Sequence, residues 1–184
     1  YGANKRAQAP VHMHLTGVSE SNLHPRLKKT NIDSWIATHV IAQDYIDMTS
    51  KFQVNTVDAE DQKEGKKQLV YLSSDAEEVL HELDPNCAYI IGGIVDRNKH
   101  KGVAHRKAIA QGIRTVKLPI KEHMALSLTH VLTVNHCFEL LVECGHLKSW
   151  PAALEKVIPQ RKRAINDEGE EGEEEEEEEE EEER

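Results

Sequence analysis

The sequence predicts an α/β fold: a mostly parallel sheet with flanking helices. Three observations carry this. Three short apolar runs, Leu69–Leu72, Ala88–Ile91 and Thr115–Leu118, have strand length and are rich in β-branched residues or tyrosine. Each meets turn chemistry at its end: Ser73-Ser74, Gly92-Gly93 and Pro119. Helical signals lie between and after them, the alternation that marks βαβ units.

Taken in order, Val11–Leu15 alternates apolar and polar, a strand with Val11, Met13 and Leu15 on one face and His12 and His14 on the other. Residues 16–34 are polar and turn-rich, a loop. Residues 51–68 are charged and lack periodicity, and are expected to be an exposed insertion. After Leu72, Ser74-Asp75-Ala76-Glu77 has capping-box spacing. It predicts a helix N-capped by Ser74, with Val79, Leu80 and Leu83 on its apolar face and Asp84-Pro85 at its end. A helix over Val103–Gln111 is closed by Gly112. A longer helix over about Leu126–Cys144 is expected to stop at Gly145. Ser149 caps a last helix that runs to about Val157, before Pro159.

The net charge of −10 conceals two regions. Of the 33 carboxylates, 15 lie in Asp167–Glu183, leaving residues 1–166 with 22 Lys/Arg against 18 Asp/Glu, a net +4. A run of like charges cannot bury apolar area to offset its ordering entropy, so residues 164–184 are expected to be a disordered acidic tail. Such a tail either contacts basic proteins or only solvates the chain. Cys87, Cys137 and Cys144 form no CxxC pair, which suits a reduced intracellular compartment; Cys87 reads as a small buried hydrophobe. No run of 18 apolar residues occurs, so no helical membrane span is expected. No signal peptide is evident, but the chain opens on Tyr1 rather than Met, which leaves that absence with little weight.

Ligands of open parallel sheets bind beyond the carboxyl ends of the strands. Three such ends, at Leu72-Ser73-Ser74, Gly92–Asp96 and Leu118-Pro119-Ile120, would together form a pocket rich in backbone amides and poor in charge, suited to a flat heteroaromatic ligand. The alternative is three ordinary βα turns. Gly92-Gly93-Ile94-Val95-Asp96 lacks the G-x-G-x-x-G of a dinucleotide fold, and no G-x-x-x-x-G-K-[ST] occurs. Asp96 is the single acid between Asp84 and Glu122, and Arg97, Lys99, His100 and Lys101 crowd behind it. An acid at a strand end inside a basic loop points to chemistry on a polyanion; a surface carboxylate paired to Arg97 or Lys101 is the competing reading. The 11 histidines show neither H-E-x-x-H nor Cys/His zinc spacing, so no metal is expected. Basic clusters at Lys5-Arg6, Arg26–Lys29 and Arg161-Lys162-Arg163, with Lys117 and Lys121, supply candidate phosphate contacts.

Five stretches carry a resemblance: YLSSD (Tyr71–Asp75), ELD-x-x-x-AYIIGGIVDRN-x-HKG (Glu82–Gly102), GI-x-x-x-KLPI (Gly112–Ile120), VLTVNHCFELL (Val131–Leu141) and W-x-x-A…IPQRK (Trp150–Lys162). In order over about residues 69–163, they resemble the SPOUT-superfamily tRNA methyltransferases that act on N1 of the purine at position 9. The Arg97–Lys101 loop is similar to the nuclear/cytoplasmic branch, which implies a nuclear or cytoplasmic protein. The resemblance implies a SPOUT domain over residues 1–163 with a C-terminal trefoil knot, and a monomer that binds S-adenosylmethionine and tRNA. It implies methylation of guanine, with adenine also accepted in some members. It places Asp96 as the catalytic carboxylate. It places Leu72, Ser73, Gly92, Gly93, Lys101, Thr115, Leu118 and Ile120 around the cofactor, and Arg97, Asn98, Lys99, His100, Lys121, Arg161, Lys162 and Arg163 against RNA. A strand and helix that normally open the domain are expected to lie upstream of Tyr1, so a chain starting there is expected to be poorly stable. A non-catalytic RNA- or protein-binding module, or an inactive truncated form, is the alternative function.

Overall fold

The computed structural model describes residues 2–18, 29–50, 52–53, 67–93, 102–126, 131–160 and 163. The chain runs α1 (Gly2–Arg6), β1 (Met13–Leu15), β2 (Thr38–Val40), β3 (Phe52–Gln53), β4 (Lys67–Leu72), β5 (Cys87–Ile91), α2 (Val103–Ala110), β6 (Arg114–Val116), α3 (Ile120–His123), α4 (Val134–Leu147) and α5 (Trp150–Val157), with 3-10 turns at Ile32–Ser34 and Tyr45–Ser50.

Among the described residues, β1–β2, β3–β4, β4–β5 and β4–β6 all pair in parallel, and an isolated antiparallel bridge joins Leu126 to Arg163. β4 is central: β5 lies along one edge, while the other edge takes β3 beside Lys67–Gln68 and β6 beside Val70–Leu72. Alternation then divides the side chains between two layers. Val70, Leu72 and Val116 join Leu140, Trp150, Leu154 and Ile158 in the larger core, under α4 and α5. Leu69 and Tyr71 turn the other way, onto Ala108 and Ile113 around α2. β1 and β2 form a separate pair, beside which the buried Asn4 joins two chain segments. Its Oδ1 accepts from Val11 N–H (2.8 Å) and its Nδ2 donates to Val11 O (2.9 Å) and Ile36 O (3.4 Å).

Strands β4, β5 and β6, helix α2 and helix α5 stand where the sequence puts them, within a residue or two. Gly112 follows α2 at φ +67°, and Ser149 Oγ accepts from Ala152 N–H at the start of α5. Four expectations need correction.

No helix forms between Asp75 and Asp84. There, Leu80 N–H donates to Lys117 O and Lys117 N–H to Glu78 O, both at 2.8 Å, so the backbone groups a helix would use are committed to a bridge with the end of β6. Ser74 caps nothing; the neighbouring Ser73 Oγ accepts from Asp75 N–H at 3.2 Å. The long helix starts at Val134, capped by Thr133, and passes through Gly145 to Leu147. It ends at Lys148, left-handed at φ 54°, whose N–H reaches Cys144 O. Finally, Phe52–Gln53 pairs with Lys67–Gln68, so both ends of the predicted 51–68 insertion belong to the sheet; residues 54–66 lie outside the described residues.

The 73–86 connection is also fastened by charge. Arg114 on β6 grips both carboxylate oxygens of Glu78, with Nε at 3.1 Å from Oε2. The guanidinium holds the Glu78 carboxyl below its ordinary value. A lowered carboxylate stabilises the fold above its unfolded pKa and loses that contribution as pH falls through the lowered value. Both groups are partly exposed, so Glu78→Gln is expected to cost only about 0.5–1 kcal/mol at neutral pH, and nothing once the carboxylate is protonated. Urea midpoints of the two forms across the acid range test this; equal midpoints at neutral pH would contradict it.

All three cysteines are free thiols. Burial pushes each thiol up, Cys137 to about 11, so they act as small apolar side chains at neutral pH. His12 Nδ1 lies 3.4 Å from His39 Nε2, and His14 stacks on His39 at 4.9 Å. Among the described residues, no three or more His, Cys, Asp or Glu are arranged to hold a metal. No helix of the described residues is long and apolar enough to cross a membrane.

Candidate functional site

Leu72 pairs with Ile91 on one side and Val116 on the other. The three strands therefore end at one level, and the three loops singled out in the sequence leave from a common edge. Ser73 N–H donates to Val116 O at 2.9 Å, sewing the first of these loops to β6. The third loop folds tightly at Pro119 (φ −78°, ψ 42°), where Ile120 N–H reaches Leu118 O at 2.8 Å. That is an inverse γ-turn, for which proline's fixed φ is pre-set. It drops Ile120 into the core as the first residue of α3.

The candidate residues then divide. Leu72 is buried at the end of β4; Ser73 and Leu118 are half-buried beside it; Gly92 and Gly93 follow β5 directly. Thr115 stands one position back from the edge, and its hydroxyl lies 3.2 Å from His105 Nε2 of α2. Its side chain thus faces the helix layer rather than the loops. Lys121 is exposed on α3. Arg163 is committed to structure: its guanidinium donates to Ile158 O (2.9 Å) and to Glu155 O, the carbonyls that close α5. Asp96, Arg97, Asn98, Lys99, His100, Lys101, Arg161 and Lys162 lie outside the described residues.

The two glycines differ in what surrounds them. A Cβ built on Gly92 would stand 2.8 Å from the Tyr71 hydroxyl. One built on Gly93 meets nothing within 4 Å among the described residues. The Gly92-Gly93 pair follows β5 as turn chemistry, and the space a Cβ on Gly92 would take is occupied by the Tyr71 hydroxyl. The missed signal was strand parity: Tyr71 and Ile90 are register partners, and Gly92 lies two residues beyond Ile90, on the same face. Burial raises the Tyr71 phenol above its ordinary value, so it stays protonated at neutral pH.

Comparison with known proteins bears on this edge. Residues 1–163 match the family model described as tRNA (guanine(9)-N(1))-methyltransferase TRM10/TRM10A. The chain is 37% identical over 172 residues to the tRNA methyltransferase 10 homolog A of Xenopus tropicalis, covering 90% of this chain and 45% of that protein. It is 35% identical over 167 residues to the tRNA (guanine(9)-N(1))-methyltransferase Trmt10A of Drosophila melanogaster, covering 89% and 47%. The chain thus spans about half the length of these curated relatives. Among solved structures, a full-length spTrm10–SAH complex superposes with a TM-score of 0.70 at 33% identity, covering 86% of this chain and 79% of that one.

Proposed function

The chain belongs to the TRM10/TRM10A family of tRNA (guanine(9)-N(1))-methyltransferases, and from that premise we propose that it carries the S-adenosylmethionine site and the catalytic carboxylate of an enzyme that methylates N1 of guanine at position 9 of tRNA. The observation that carries this reading is the common level of Leu72, Ile91 and Val116, from which the three family loops depart together. The residues at that edge fit the cofactor. The backbone groups of the Gly92-Gly93 turn and the Ser73 carbonyl suit the polar edge of an adenine, Leu72 and Leu118 supply apolar walls, and no described atom lies where a Cβ on Gly93 would stand. S-adenosylmethionine supplies the electrophilic methyl group. The chain's own part is to hold guanine N1 in line with that methyl and to stabilise loss of the N1 proton, which falls to Asp96. Because N1 lies on the pairing edge, the base must be exposed or turned out of the tRNA core. Arg97, Lys99, His100 and Lys121 are the proposed phosphate contacts, and Asn98 a polar one.

The trefoil knot belongs to the same proposal. Its support is the family resemblance, with which the strand order β5-β4-β6 is compatible. We place the chain as a monomer on the family resemblance alone.

The test is transfer of labelled methyl from S-adenosylmethionine to unmodified tRNA carrying guanine at position 9. The chain would be assayed alone and joined to the segments its longer relatives possess. Methyl incorporation that disappears when position 9 is changed to a pyrimidine is the expected result. Tight tRNA binding without transfer by the extended form would overturn the enzyme reading in favour of a binding module.

A further inference from the structure

Tyr71 is 4% exposed, and its ring lies under the turn that follows β5. Tyr71 packs in one cluster with Ala108 and Ile113, and an anchored tyrosine backs its ring. Tyr45 meets it edge-on, with centroids 5.9 Å apart. Tyr45 is itself held by a 2.5 Å bond from its hydroxyl to Gln111 Oε1 and by Lys107, whose Nζ lies 4.9 Å above the ring and 3.2 Å from Asp44. The Tyr71 ring therefore has packed neighbours where it would have to retreat, and its hydroxyl forms a fixed stop against Gly92.

We propose that Tyr71 is a positioning residue for the cofactor site: its hydroxyl fills the space that a Cβ on Gly92 would take, sets the direction in which the chain leaves β5, and leaves Gly93 as the glycine open to S-adenosylmethionine. The two glycines thus do different work. Gly92 lacks a side chain because a tyrosine hydroxyl stands where its Cβ would be. Gly93 lacks one because the ligand approaches there. The inference rests on the cofactor reading above and adds a residue to it that touches no ligand.

The distances make the proposal separable. Without the hydroxyl, the atom nearest a Cβ at position 92 is Tyr71 Cζ at 3.7 Å, an ordinary van der Waals contact. Gly92→Ala is therefore expected to lower the melting temperature by about 5 °C or more through overpacking. Tyr71→Phe in the same chain should restore most of that loss. Tyr71→Phe alone should keep the melting temperature within a few degrees yet weaken S-adenosylmethionine binding about threefold to tenfold, because the turn loses its stop. Gly93→Ala should leave the melting temperature unchanged and weaken binding by more than about tenfold. Calorimetric titration with S-adenosylmethionine and thermal unfolding, on all four variants, read both quantities.

Gly92→Ala that is equally damaging with and without the hydroxyl overturns the contact. Full affinity in Tyr71→Phe overturns the positioning role, and full affinity in Gly93→Ala overturns the division between the glycines. Absence of binding by the unsubstituted chain overturns the cofactor reading, and the positioning role with it. In that case thermal rescue of Gly92→Ala would still show the packing contact to be real, so the two failures are distinguishable.

Discussion

Asp96→Asn is expected to lower methyl transfer about 10²- to 10⁴-fold while leaving S-adenosylmethionine affinity within about threefold, the pattern of a group needed only in the transition state. Guanine N1 carries a proton that must leave as the methyl arrives. A free aspartate, with a pKa of about 3.9, is far too weak a base to remove that proton in the ground state. As the methyl bonds to N1, however, positive charge develops on the ring and the N–H becomes acidic. A carboxylate held beside it then stabilises the charge and accepts the proton late in the step. Asparagine has nearly the same shape and can still accept a hydrogen bond, but brings no charge. Sequence position supports the role: Asp96 follows Gly93 by three residues, in the connection that leads from β5 to α2. Single-turnover transfer at saturating tRNA isolates the chemical step. An unchanged rate there would remove Asp96 from the mechanism and return it to the surface.

What the sequence made legible follows from how local each signal is. β4, β5 and β6 could be read because each is a short apolar run, and α2 and α5 because their ends carry their own chemistry in Gly112 and Ser149. The alignment of three loops at one edge was also readable, since in parallel sheets the carboxyl ends of neighbouring strands gather together. Two of the failures share one cause, a partner distant in sequence. Ser74 and Glu77 have the spacing of a capping box, but the backbone at Glu78 and Leu80 pairs with Lys117, some 40 residues on. Gly145 looks like a helix stop, yet it sits inside α4, where a Cβ would come within 3.9 Å of Leu83. Phe52–Gln53 is too short to show alternation, and is a strand because Lys67–Gln68 lies beside it. The same limit applies to the site. A glycine pair announces two missing side chains, but only the register of β4 on β5 shows that Tyr71 fills the first gap.

The largest stability effect is expected at Trp150, because it joins the last helix to the irregular 73–86 connection. Trp150 is 5% exposed in the larger core, and its Nε1–H donates to His81 O at 2.7 Å. Trp150→Ala is expected to destabilise the chain by about 3–5 kcal/mol, combining lost burial with a cavity next to the fully buried Leu140 and Ala153. Trp150→Phe keeps most of the ring and removes the donor. It is expected to cost about 1 kcal/mol, since the residue bearing the orphaned carbonyl is exposed and water can replace the donor. The connection matters beyond its packing. It begins at Ser73, bridges to Lys117 at Val79, and so braces the first and third loops of the proposed cofactor edge at once. With no helix of its own, that segment draws much of its shape from outside ties, among them the Lys117 bridge, the Arg114 grip on Glu78, and the Trp150 bond to His81. Losing the Trp150 tie should therefore weaken S-adenosylmethionine binding in Trp150→Phe even at temperatures where the variant is fully folded. Urea unfolding and ligand titration of both variants separate the two effects. If Trp150→Phe binds the cofactor as the unsubstituted chain does, the segment is held well enough by β6 alone and Trp150 is a core residue only. If Trp150→Ala unfolds within about 1 kcal/mol of the unsubstituted chain, α5 does not pack on the core as described.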